Sequence, residues 1–497
     1  LAPLCGIRLH GLFLHAGKCR ERGNAETGGN GQKGDGTYDR GSYWYVKMLD
    51  KWEPSAKYSR LFLEIPAAGQ QAKVFVNGEF VVSHEGGYSA FRVDITEKCT
   101  EEFNTIAIWC SNEKCDAIYP QSADFTFYGG LYRGAHLICV PETHFELLHY
   151  GDLGIHAATE PASWDKEDFM LHIRTKICGV EKDNQVIYQI FDEDGKEVAS
   201  AARPADSPDT SIPLYKPHRW DIKNSYQYTL KALIMRNNEC LDEVELKFGV
   251  RTFCCDPGRG FLINGNCVPL RGVSRHQDKL YQGNALTKED HIRDAELIEE
   301  IGANTVRLAH YQHAQEFYNE CDKRGFVVWA EIPFISVMNE DPLAHENCIT
   351  QLKELIYQND HHPSICFWGI SNEILIGGIS EKLVENHREL NALAKKIDPY
   401  RLTTIAHVTM TPKDGPMHEI TDVESYNHYF GWYGGKTEDN GPWMDEYHEK
   451  YPNRCIGLSE YGCEGIITYQ GGNPKCKDYS EAYQAGYHEY MAHMLER

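Results

Sequence analysis

No run in these 497 residues approaches the roughly 20 consecutive apolar positions of a membrane-crossing helix, so no membrane partner is expected. Cations are scarce too: 50 Lys and Arg stand against 73 Asp and Glu, a formal charge of −23. Phosphate backbones are held by clustered Lys and Arg, so a nucleic-acid partner is not expected either. The acidity itself reads as solubility and nothing sharper. There is no CxxC pair, and neither Cys110/Cys115 nor Cys254/Cys255 has the spacing of zinc ligands. The 17 cysteines are odd in number and scattered, which suits reduced thiols in a cytoplasmic bacterial protein better than a disulfide framework. Residues 1–20 lack the charged region and clean cleavage site of a secretory signal. The chain opens on Leu1 rather than Met, and its natural start is expected to be missing or altered. No internal repeat and no long low-complexity tract is present.

The chain is long enough for about three domains. Residues 22–37 are rich in glycine and read as a loop. From Ser42 to about Val140 come short alternating runs, among them RLFLEI (60–65) and AKVFVNGEFVV (72–82), with Asn77-Gly78 as a hairpin signal. A second strand-rich block follows, with DFMLHIRTKIC, NQVIYQIFD, YQYTLKALIM and VELKFGV, of a length that suits an immunoglobulin-like sandwich. After Asp256 short apolar runs alternate with helical patterns, the grammar of a parallel sheet. The expected architecture is a jelly-roll-like β-sandwich at 1–140, an immunoglobulin-like β-sandwich at 141–253 and a (β/α)8 TIM barrel at 254–497. Seven strand candidates lie within 268–460, with helices expected near 287–301, 314–324, 348–358, 379–397, 441–450 and 480–496. An eighth strand is expected where the chain stops at Arg497, so the barrel reads as incomplete.

Functional groups of such barrels gather at the C-terminal ends of the strands. Those ends here carry His276, His310, Glu331, Asn372-Glu373, Asn427-His428-Tyr429 and Ser459-Glu460-Tyr461. One strand-end glutamate is more often a solvated loop residue or an ion-pair partner than a catalyst. A whole rim of carboxylates, imidazoles, amides and phenols is harder to explain as packing, because such groups are costly inside an apolar core. Glycoside hydrolysis requires two carboxyl groups about the scissile bond, roughly 5–5.5 Å apart when one acts as nucleophile. One must stay protonated and the other ionised, so their surroundings must push their pKa values apart. Glu373 and Glu460, ending strands four and seven, can face each other across a barrel mouth.

The segments HPSICFWGISNE and GLSEYG resemble the acid/base and nucleophile signatures of glycoside hydrolase family 2. LRGVSRHQD, NTVRLAHY and DFTFYGGLYR (124–133) are similar to further motifs of that family, and all five occur in the family's order. The resemblance implies a retaining, exo-acting β-glycosidase with Glu373 as acid/base and Glu460 as nucleophile. It implies that Asn372 binds the sugar 2-hydroxyl, that His276, His310 and Asn427 line the sugar site, and that Tyr429 orients Glu460. Asp124 would reach a distal hydroxyl from the first domain, and Arg307 would support Glu460. Trp432 and Trp329 are candidates for sugar-stacking walls or for packing. No cofactor and no metal is expected, since EIPFISV (331–337) lacks the Glu and His of the family's magnesium-dependent branch. The contexts GISNEI, YNHYFGWYGG and DYSEAYQ look closest to β-galactosidase-like members, so a terminal β-D-galactoside is the expected substrate. A glucuronide or galacturonide is the alternative, followed by an inactive carbohydrate-binding fragment and a protein-interaction scaffold. Whether the chain forms a homo-oligomer is left open.

Overall fold

The computed structural model describes residues 40–496 apart from 50, 56, 101, 164 and 165, so the loop expected at 22–37 lies outside the described residues. The first unit is a pair of antiparallel sheets. One runs in the order Ser42–Leu49, Asn104–Ser111, Gln71–Val76, Glu79–Glu85, and the other Phe91–Asp94, Arg60–Ile65, His136–Val140. Alternation sets the inner face: Ala72, Val74 and Val76 are buried while Lys73 between them is exposed. They meet Leu61, Leu63 and Ile65 of the other sheet in one apolar core. Asn77 and Gly78 turn the hairpin with φ of 51° and 84°, the left-handed backbone that an Asn-Gly pair adopts at little cost.

A second sandwich faces Thr210–Leu214, Phe169–Thr175 and Ile155–Pro161 against Glu197–Pro204, Gln185–Phe191, Tyr228–Arg236 and Glu239–Phe248. Leu171, Ile173, Val186, Ile190, Leu230 and Ile234 fill it, each worth about 1.5–3 kcal/mol of apolar burial. A small sheet then follows (Phe253–Asp256, Gly260–Ile263, Asn266–Cys267), and its Phe261 and Ile263 pack on Val327 and Phe367 near the N-terminal ends of barrel strands.

The last unit is a seven-stranded parallel sheet in sequence order: Gly272–Arg275, Thr305–Leu308, Val327–Glu331, Ile365–Asn372, Leu402–Val408, Val423–Asn427 and Ile456–Glu460. Its strands are called the first to seventh barrel strands below. The third and fourth are buried throughout, as apolar runs covered on both faces should be. The first and seventh are the sheet's edges and are half-exposed. They approach each other at the mouth, where the Ser274 hydroxyl donates to the Ser459 carbonyl at 3.4 Å, so the barrel is nearly closed.

Helices follow most strands. Thr287 caps the helix Lys288–Glu300 with a reciprocal box in which Asp290 accepts from the Thr287 N–H at 2.9 Å. The helix Pro342–Asn359 begins six residues before the expected 348, because Asp341 caps it and Pro342 opens it. The loop near 124–133, in the first unit, reaches the barrel mouth: the Phe125 ring lies 5.1 Å from His276, 5.8 Å from His310 and 5.5 Å from Tyr311.

Candidate active site

The site begins with Arg307 on the second barrel strand, whose side chain is only 5% exposed. It lies over the Trp329 ring at 4.8 Å. Its Nε and Nη2 donate to the two oxygens of Glu331 at 2.9 and 3.0 Å, and its Nη1 donates to Glu460. A second bond from Nη2 runs to Asn372 Oδ1 at 2.7 Å. Burial opposes the charge, but the flanking Glu331 and Glu460 carboxylates hold the guanidinium pKa above its usual value. Burial likewise works against ionisation of Glu331, yet Arg307 and His310 keep its carboxyl below the usual range. Gly369 makes room for this: a Cβ there would stand 2.2 Å from Trp329 Nε1 and 2.6 Å from Glu331 Cβ.

The two glutamates ending the fourth and seventh strands sit in unlike surroundings. Glu460 accepts from Arg307 at one oxygen and from the Tyr429 hydroxyl at the other, the latter at 2.6 Å. Both of its oxygens thus accept hydrogen bonds, one of them from a cation. Burial and the neighbouring Glu460 charge raise the Tyr429 pKa, so the phenol keeps its proton to donate. Among the described residues, the Glu373 carboxyl accepts from one amide donor, Asn427 Nδ2 at 3.0 Å. Burial first, and then the Glu460 charge, raise its pKa above the ordinary carboxyl value. The two carboxyls are therefore served unequally, and Glu373 is the one whose proton burial favours. Glu373 also holds φ at 48°, a left-handed backbone that is strained for a non-glycine residue and that turns the chain sharply at the strand end.

Amides tie the pair together. Asn427 Nδ2 donates to Asn372 Oδ1 at 3.1 Å as well as to Glu373, and Asn427 Oδ1 accepts from the Ser459 hydroxyl at 2.7 Å. Asn372 Oδ1 is thus occupied by Arg307 and Asn427, which leaves the Asn372 NH2 to donate outward. His310 Nδ1 donates to Glu331 at 2.7 Å, and its Nε2 stands 3.9 Å from Glu460. With Nδ1 engaged by Glu331, Nε2 is the ring nitrogen left for another partner. His276 lies 5.2 Å from His310, ring to ring, and burial, followed by the neighbouring His310 imidazole, pushes its pKa down to about 3, so it is neutral. Asp124 is exposed at the mouth, and its charge is felt at Glu373 and at Tyr433.

The structure thus gathers Glu373, Glu460, Asn372, Asn427, Tyr429, His310, His276, Arg307 and Asp124 about one mouth. It does not gather Trp432, which is buried against Tyr479 at 5.1 Å and Tyr483 at 6.2 Å. The next residue takes that place: Tyr433 lies 5.1 Å from Tyr429 and is exposed. Trp329 is packing beneath Arg307. Sequence reasoning also missed the wall made by Phe125, although DFTFYGG contains it.

A barrel that brings two glutamates in unlike surroundings to its C-terminal rim has the design of the two-carboxylate glycosidases. Residues 257–497 match the model described as "Glycosyl hydrolases family 2, TIM barrel domain", and residues 162–251 match "Glycosyl hydrolases family 2". The chain belongs to glycoside hydrolase family 2. It is similar to the crystal structure of an FMN-binding beta-glucuronidase from Facaelibacterium prausnitzii L2-6, with 53% identity and a TM-score of 0.91, covering 94% of this chain and 72% of that one. A beta-glucuronidase of Bacteroides fragilis is 36% identical over 87% of this chain and 64% of its own length. A beta-galactosidase of Thermoanaerobacter pseudethanolicus is 29% identical over 80% of this chain and 52% of its own length. The chain thus spans between half and two thirds of the length of these two curated relatives.

Proposed function

We propose that this chain is a retaining β-glycosidase that removes terminal β-D-glucuronic acid through a glycosyl ester on Glu460. The observation that carries the reading is the unlike environment of the two glutamates. Glu460, whose carboxylate is oriented by hydrogen bonds from Arg307 and Tyr429, attacks the anomeric carbon while Glu373 gives its proton to the leaving oxygen. The leaving alcohol departs, and Glu373, now a carboxylate, takes a proton from water as the water oxygen displaces Glu460. The donors on Glu460 assist this second step, because they stabilise the carboxylate as it leaves. The Asn372 NH2 donates to the sugar 2-hydroxyl, a contact that strengthens as the ring flattens. His310 accepts from a neighbouring hydroxyl, and His276, Asn427, Asp124 and Tyr433 line the pocket.

The β-galactoside expected from the motif contexts gives way to the glucuronide because the Facaelibacterium and Bacteroides relatives, named beta-glucuronidase, match at higher identity than the beta-galactosidase. Side-by-side hydrolysis of aryl β-D-glucuronide and aryl β-D-galactoside tests the choice. The first should be cleaved at least tenfold faster in kcat/KM. Preference for the second would restore the galactosidase reading, and folded protein that turns over neither would support a carbohydrate-binding fragment.

A further inference from the structure

Away from the rim, two groups of imidazoles and carboxylates among the described residues bring three ligand atoms within 4.8 Å of one another: His407, His418 and Glu424, and His149, Asp152 and His156. The first is a hydrogen-bond network enclosed on all sides. All three residues are buried, His418 Nε2 donates to the Pro412 carbonyl at 2.7 Å, and Glu424 Oε1 accepts from the Glu419 N–H at 2.6 Å. The second is built differently.

His149 and Asp152 lie in the connection that enters the strand Ile155–Pro161, and His156 lies on that strand. Both imidazoles converge on one oxygen: His149 Nδ1 is 2.6 Å and His156 Nε2 is 3.0 Å from Asp152 Oδ2. The other oxygen, Oδ1, accepts from the Gly154 N–H at 2.8 Å, which fixes the carboxylate plane. The remaining His156 nitrogen, Nδ1, meets Asp360 Oδ2 at 2.8 Å, beyond the C-terminus of the barrel helix Pro342–Asn359. His156 therefore faces a carboxylate from each nitrogen. With Nδ1 held by Asp360, the ring is oriented so that Nε2 points at Asp152 and into the cluster. A carboxylate behind a ligating histidine is the usual partner of such a ligand. The Asp152 side chain is fully buried, while His149 is 22% exposed, so the cluster opens to solvent on one side only.

We propose that His149, Asp152 and His156 form a three-ligand site for a zinc-class divalent cation at the seam between the second sandwich and the barrel, with Asp360 orienting His156 and a fourth position open to water beside His149. Two imidazoles and one carboxylate suit zinc rather than calcium or magnesium, which take oxygen ligands. Ligand atoms around tetrahedral zinc stand roughly 3.3 Å apart at bond lengths of about 2.0–2.1 Å. The present spacings need only a small outward shift of His149, which packs edge-on against Tyr150 and Tyr357 at the surface.

The test uses the full chain without a polyhistidine tag, stripped with chelator and titrated with Zn2+ and then Co2+. One equivalent of Zn2+ should bind at micromolar concentration and raise the melting temperature. Co2+ should give visible d–d bands without the near-ultraviolet thiolate band that the chain's cysteines would produce. His149→Ala, at a partly exposed position, should abolish both effects, and Asp360→Asn should weaken binding by about 10–100-fold. His407→Ala should change neither. The proposal is overturned if no cation binds, if only the thiolate band appears, or if binding survives in His149→Ala and His156→Gln unchanged.

Discussion

The barrel buries two arginines in similar ways at its opposite ends, and they do different things. Arg307 at the rim and Arg401 at the base have side chains 5% and 6% exposed, and they lie over Trp329 and Trp368 at 4.8 and 5.4 Å. Arg401 is closed. Its Nη1 meets Asp398 at 2.7 Å, and its other donors end on the carbonyls of Ile365, Asp360 and His362. Asp398 in turn accepts from Trp368 Nε1 at 3.0 Å, and a second buried guanidinium, Arg251, donates to the same Ile365 carbonyl at 3.0 Å, so the base carries no surplus of negative charge. Arg307 instead serves two carboxylates, Glu331 and Glu460, with Glu373 just beyond them. The rim holds more negative charge than its cation can neutralise. A proton on Glu373 relieves the excess, and that is the proton the proposed reaction uses.

The largest expected effect therefore lies at the rim and concerns activity, not stability. Glu460→Gln should lower kcat by on the order of 10^4-fold or more and abolish labelling by a 2-fluoro-glycoside, with the melting temperature nearly unchanged because Glu331 still holds Arg307. Labelling that persists in this variant would sink the assignment of the nucleophile. At the base the expectation reverses. Asp398→Ala leaves a buried guanidinium without its anion and should cost about 3–5 kcal/mol of stability in a denaturant melt, while kcat of the folded fraction stays within a few-fold. A kcat loss as large as that of the rim variant would erase the distinction between the two clusters.

Glu331→Gln probes how the rim cluster is held together. It touches no substrate in the proposed mechanism, but it holds Arg307 by two bonds and His310 by one. Loosening these should misplace Glu460 and His310 and cost roughly 100-fold in kcat, with little change in KM. An unchanged kcat would mean that Arg307 is positioned by Trp329 and Asn372 alone.

Much of this was legible from residues alone, for reasons that differ along the chain. The barrel strands are short apolar runs that each end in a polar residue, so strand, direction and functional end were read together; Ile365–Asn372 followed by Glu373 is the clearest case. The strands Glu197–Pro204 and Thr210–Leu214 were not read, because EVASAARP is largely exposed on both faces and lacks an apolar alternation. At 432–433 local pattern failed. Adjacent residues point apart, and only the packing of Tyr479 and Tyr483 decides that Trp432 turns inward and Tyr433 outward. The His149, Asp152 and His156 cluster was invisible for another reason. Its spacing fits no familiar metal motif, and Asp360, which completes it, lies 204 positions from His156.

The smallest effect separates the two ends by its sign. Burial and the Glu460 charge raise the Glu373 pKa in the folded chain, so the native state holds this proton to higher pH than the unfolded state does. Stability from that proton is fully present below the unfolded value and is lost as pH rises through the folded one. Glu373→Gln removes the carboxylate that must otherwise form in this setting. Its melting temperature should match wild type at low pH and exceed it progressively as pH rises through the Glu373 pKa, although the variant is inactive toward substrates with poor leaving groups. The wild-type kcat/KM should fall over the same interval, because the free enzyme needs Glu373 protonated. At the base, Asp398 is the opposite case. Burial works against its charge, but Arg401 and Trp368 hold its pKa below the ordinary value, so Asp398→Asn should be less stable than wild type above the unfolded carboxyl pKa and lose that disadvantage only in acid. Melts of the two variants against pH should therefore diverge from wild type in opposite directions above pH ~5. Parallel curves would show that the surplus charge at the rim carries no cost in the folded protein.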